Sequence, residues 1–184
     1  MNTALRILGL SAIAGGTLRV VDSFTAQSLT ATSLAALYFA TDVLLLLGIA
    51  GIYWSRRATL GIAGVIGSAA FAIGIVLIRI SAFGVLGTNE YQLGAAIALL
   101  GLAILSAEEL LRGDGISAAA ILWLAAVAFG IIGILGVLAP TMTIAAGVTF
   151  GAGFFLAGRQ VVAVGGAKNK GRVDRRGPWK CSKR

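Results

Sequence analysis

Asp42 stands near the middle of LYFATDVLLLLGIAGIYW, residues 37–54, a stretch otherwise apolar enough to enter a membrane. A carboxylate in that position can carry a proton, hold a cation or tie two helices together. An ionised carboxylate at mid-span costs roughly 2.5–3.5 kcal/mol on insertion scales, so something must offset it. Protonation is one offset, since desolvation disfavours the charged form. A cation is another, and Arg19 and Arg79 both fall near the outer ends of neighbouring spans, with stems long enough to reach inward. Hydrogen bonds from Thr41 or Tyr38 are a third. A proton-coupled carrier lines its path with further polar groups. Here the spans offer few beyond Ser11, Thr17, Thr41, Ser68 and Thr149. The expectation is therefore a tie between helices, with a titrating transport site as the alternative.

Other chemistry is sparse. Glu108, Glu109 and Asp114 form an inner-face acidic cluster, with Arg112 close enough in sequence to serve one of them. Arg19 and Asp22, three apart, read as an interfacial ion pair. The chain has no histidine, which removes bis-imidazole haem, imidazole-ligated metal and Ser–His relays. Every lysine lies at 168 or beyond, so no Schiff base forms inside the spans. An aspartyl dyad needs two carboxylates, and only Asp42 is deep. No phosphate-binding Gly-Lys-Ser/Thr loop is present. Cys181, the single cysteine, opens Cys-Ser-Lys-Arg, which lacks the aliphatic residues of a prenylation box. The chain is expected to be non-catalytic and to bind no cofactor. A lipid-modifying enzyme using Glu108 or Glu109 lacks a second catalytic group.

The elements that position these residues follow from composition. The 184 residues are 58% hydrophobic and only 12% charged, about half the charge of a typical soluble domain. Gly115 to Gly158 contains no charge over 44 residues, and apolar runs of about 17–25 residues suit a hydrocarbon core of about 30 Å. The fold class is an all-α integral membrane protein, a bundle of six spans. They are expected at Ala4 to Val21, Ser33 to Trp54, Ala58 to Ile80, Tyr91 to Leu111, Ile116 to Leu138 and Thr141 to Val162, with Pro140 dividing the long run. The opening MNTALRILGLSAIAGG imitates a signal peptide, but its apolar run is short and it reads as the first span. Thirteen Lys and Arg fall on the side of both termini and two, Arg19 and Arg79, on the other, which places both termini in the cytoplasm. The Ala/Gly-rich composition favours a prokaryotic plasma (inner) membrane.

Two units result, a six-helix transmembrane domain over 1–163 and a basic tail over 164–184. Gly147 and Gly151 form a GxxxG pair, and Gly61, Gly64 and Gly67 recur at helical spacing, so both sets are expected to pack helices closely. YFATDVLLLLGIAGI from Tyr38 and YQLGAAIALLGLAIL from Tyr91 suggest repeated hairpins. The tail carries Lys168, Lys170, Arg172, Arg175, Arg176, Lys180, Lys183 and Arg184 against one acid, Asp174, with Gly165-Gly166 as a flexible lead-in. Such a segment binds anionic headgroups at about 1 kcal/mol per basic residue, or docks on an acidic partner or on Glu108, Glu109 and Asp114. Only Trp179 interleaves an aromatic, which speaks against nucleic acid. Trp123, Phe129, Phe150, Phe154 and Phe155 are candidates to face a partner, lipid or pigment. The functional expectation is an accessory, structural or assembly subunit of a larger membrane complex. The alternative is a small proton- or cation-coupled transporter with Asp42 as its titrating group.

Overall fold

A computed structural model describes residues 2–25, 28–82, 88–113, 116–136 and 138–173. These form six helices: α1 (Asn2–Thr25), α2 (Ala31–Arg56), α3 (Ile62–Ala82), α4 (Thr88–Arg112), α5 (Ser117–Ile134) and α6 (Ala139–Val173). Five are long and apolar enough to cross a membrane, and α5 supplies a shorter apolar helix over Ser117–Gly133. The protein is an all-helical membrane bundle. Most helices extend two to four residues past their expected ends at one or both sides. Thr30 caps α2 by accepting from the Ser33 backbone N–H, satisfying one of its orphan donors.

Eight glycines decide how the helices meet. A Cβ on Gly67 of α3 would sit 2.7 Å from both the Gly101 carbonyl oxygen and the Leu105 nitrogen of α4. One on Gly101 would lie 2.6 Å from the Gly67 oxygen, and one on Gly74 2.6 Å from the Gly94 oxygen. Backbone therefore touches backbone at two levels of this pair. The same device joins α1 to α6. Gly9 faces Gly158, whose Cβ would lie 2.6 Å from the Gly9 oxygen, and Gly16 faces Gly151. In lipid, where apolar burial gives no preference for helix over acyl chain, such close approach is what favours association.

The two glycine sets share one spacing, seven residues in every helix. Shifting Gly9 and Gly16 by 85 gives Gly94 and Gly101, and shifting Gly67 and Gly74 by 84 gives Gly151 and Gly158. The flanking sequences agree in places, LGLSAIAGG with LGAAIALLG and GSAAFAIG with GAGFFLAG. The glycine spacing of α1 and α3 thus recurs in α4 and α6, whereas the hairpin correspondence suggested by Tyr38 and Tyr91 aligns α2 with α4.

The helices follow one another around a ring, α6 closing on α1. α2 touches α3 along a short stretch only and its backbone does not approach α4 among the described residues. The middle of the bundle is filled by rings. Phe154 stacks at 5.5 Å on Phe71, 5.1 Å on Trp123 and 5.0 Å on Phe150. Trp123 and Phe154, expected as partner- or lipid-facing, are instead fully buried, because Gly153 leaves the indole room against α6. Phe155 remains partly exposed.

The long charge-free run divides earlier than expected. α5 stops at Ile134, and Gly136 takes a left-handed φ of 80° that only glycine adopts at low cost. The Leu135 and Gly136 N–H groups donate to the Ile131 and Gly133 carbonyls. Pro140 then sits in the first turn of α6, where its missing N–H has no consequence. At the far end α6 runs helically through Gly165-Gly166 to Val173, so the first part of the tail is a continuation of the last span. Replacing Gly67 by Val should separate α3 from α4 and lower the detergent-solubilised melting temperature, in line with about 1–3 kcal/mol for overpacking. Gly166→Ala, with open space around its Cβ, should leave the melting temperature unchanged or raise it slightly.

Candidate functional site

Charged side chains gather at the two ends of the bundle. At the end opposite the termini, Arg79 of α3 donates through Nε to Asp42 Oδ2 of α2. Both side chains are largely withdrawn from the surface, at 20% and 14% exposure. On α1, Arg19 meets Asp22 at 3.2 Å. The pairs share one layer: Arg19 acts electrostatically on Asp42, Asp42 on Asp22, and Tyr38 lies within reach of Asp22, Arg19, Tyr91 and Arg79. Two acids and two guanidiniums make the layer neutral. Of the two cations expected for Asp42, the structure selects Arg79 for the direct bond and leaves Arg19 as a neighbour. Thr41 does not serve Asp42. Its hydroxyl is buried with no hydrogen-bond partner among the described residues.

At the other end, Glu108 and Glu109 close α4 with their carboxylates pointing to different partners. Glu109 is 1% exposed and accepts from Arg56 Nη2 of α2 at 2.9 Å. Its other oxygen, Oε1, is buried without a partner among the described residues. Glu108 accepts from Arg112 Nε one turn on and from the Gly61 backbone N–H at 2.9 Å. Gly61 immediately precedes α3, so a carboxylate from the end of α4 covers the positive start of α3. Glycine at 61 leaves room for this, since a Cβ would displace the ends of the Arg112 and Glu108 side chains. Gly61 therefore seats an ion pair rather than a helix. Gly64 lies against Leu60 and the Glu108 stem, while Gly147 packs on Ser23 and Gly151 on α1. Asp114 lies outside the described residues.

The Arg56–Glu109 bridge was not foreseen. Fifty-three residues separate the two, and in the sequence Arg56 registers only as a positive charge beside a span. One signal was available: Asp42, Ile49 and Arg56 are seven apart, which puts both bridging residues on one face of α2.

The hydroxyls that might have lined a polar path are turned on their own helices. Ser11 donates to the Ile7 carbonyl, Thr17 to Ile13, Ser68 to Gly64 and Thr149 to Ala145, at 2.7–3.0 Å. Each saturates a local carbonyl, as such residues do inside apolar helices. The tail's Lys168, Lys170 and Arg172 lie on the last turns of α6. Arg175, Arg176, Lys180, Lys183 and Arg184 lie outside the described residues.

The two acids of α4 should respond differently to neutralisation. Glu109→Ala removes a carboxylate that is 1% exposed together with its hydrogen bond from Arg56, and should cost about 1–3 kcal/mol. Glu108→Gln keeps an oxygen for the Gly61 N–H and loses an Arg112 partner that is 46% exposed, which should cost about 0–1 kcal/mol. Thermal unfolding in mild detergent ranks the two. Comparison of the chain with family models, curated proteins and solved structures finds no match.

Proposed function

We propose that the chain is a non-catalytic membrane protein that serves as a structural or assembly subunit of a larger complex, in a prokaryotic plasma membrane with both termini cytoplasmic. The observation that carries this reading is the disposal of its polar groups. All four acids with described side chains, Asp22, Asp42, Glu108 and Glu109, are engaged by arginines of the same chain. The centre of the bundle, where a solute would sit, is occupied by Phe71, Trp123, Phe150 and Phe154. The form of α6 supports a partner. Its 35 residues reach about 52 Å at 1.5 Å per residue, well beyond a hydrocarbon core of about 30 Å. A helical arm with basic residues at 168, 170 and 172 projects on the cytoplasmic side, suited to an acidic subunit or anionic headgroups.

A second reading, a small carrier, draws on two observations. The seven-residue glycine spacing of α1 and α3 recurs in α4 and α6, the kind of internal similarity that the repeats of secondary transporters leave, and Asp42 lies inside a span. Under that reading Asp42→Asn abolishes pH-dependent flux with the fold retained.

Extraction in mild detergent, followed by native gel separation and mass spectrometry, should find the chain in an assembly larger than itself. Removal of residues 167–184 should release it from that assembly without lowering its melting temperature. Migration alone or as a small homo-oligomer would sink the subunit reading.

A further inference from the structure

The thinnest joint in the ring of helices is α2 against α3. α1 and α6, and α3 and α4, are held by backbone contact at paired glycines. α1 meets α2 through Gly48 against Ala12 and Gly51 against Leu8. Between α2 and the α3–α4 hairpin no such contact exists among the described residues. α2 touches α3 only briefly, and Arg56 spans the gap to α4 with its side chain. What crosses this seam is an ion pair at each end, Asp42–Arg79 on one face of the membrane and Arg56–Glu109 on the other. Asp42 and Arg56 sit on one face of α2 with the buried Ile49 midway.

At the inner end one carboxylate oxygen, Oε1 of Glu109, is buried without a partner among the described residues. A buried donor or acceptor without a partner costs about 1–3 kcal/mol. The closed seam is thus suboptimal at its Glu109 end and thinly packed along its length. Close-packed elements that move do so as rigid bodies about their weakest interface. Here that interface is α2 against α3–α4.

We propose that α2 is latched rather than packed against the α3–α4 hairpin, and that the seam opens from one membrane face at a time as one latch or the other releases. This goes beyond the subunit reading and does not depend on it, because a subunit and a carrier can both hold such a joint. Asp42–Arg79 is the latch of the outer face and Arg56–Glu109 that of the inner face. The buried Ile49, midway between them on the same face of α2, keeps the two apart.

The test places one reporter at the middle of the seam, Ile49→Cys in a full-length Cys181→Ser chain, in oriented membrane vesicles. A membrane-impermeant thiol reagent is applied from each side in turn. With both latches intact, labelling should be slow from either side. Asp42→Asn should raise it severalfold from the outer face only, and Glu109→Gln severalfold from the inner face only. A second reporter, Ala98→Cys at the glycine contact of α3 and α4, should remain unlabelled throughout. No change in either variant, or a rise from both sides together, overturns the proposal. Should the single variants fail to fold, the exchange Asp42→Arg with Arg79→Asp decides: restored folding with slow labelling supports a latch, and failure to restore overturns it.

Discussion

Backbone contact at glycine is the constraint on which this bundle rests. Helices in lipid gain little from hiding apolar side chains from one another, so what holds them is proximity and complementary polar groups. A glycine at each crossing lets two helices approach until carbonyl of one meets amide of the next. Two such crossings, seven residues apart, fix both the distance and the register of a pair. With α1–α6 and α3–α4 fixed in this way, the places of α2 and α5 follow. α2 lies on α1, and α5 fills the space between α4 and α6 with Trp123 as its anchor.

Charge then does what glycine does not. Three of the four ion pairs stand near helix ends, and in the fourth the Arg79 stem reaches from near the end of α3 to Asp42 inside α2. None lies across the aromatic centre. This division explains why Asp42 is tolerated well inside a span. The stem of Arg79 brings a cation to it from the end of α3, so that the carboxylate is neutralised without a charged residue having to sit beside it.

Class, helix number and approximate boundaries were legible in the sequence, because runs without charge have few alternatives in a chain of this length. The tie of Asp42 to an arginine was legible for the same reason: the cost of the charge demanded a partner, and only two arginines lay on that side. The Arg56–Glu109 bridge was hidden, since neither residue is deep and their separation gives no local clue. The pairing of glycines was hidden as well. Glycine recurs so often here that a spacing of seven is invisible until the structure says which glycines face each other. Trp123 and Phe154 misled for a physical reason, since in a membrane protein an aromatic side chain is as welcome outside as inside, and hydropathy does not distinguish the two.

The turn between α5 and α6 carries a consequence for the surrounding lipid. Leu135 and Leu138 are widely exposed there, and the adjoining Leu135 and Gly136 amides are satisfied within the helix end. α5 rises only about 27 Å over its 18 residues, against about 39 Å for the 26 of α2. α5 is therefore the one helix of the six that falls short of a hydrocarbon core of about 30 Å. Lipid beside it would meet that shortfall by local thinning, at fractions of a kcal/mol per Å.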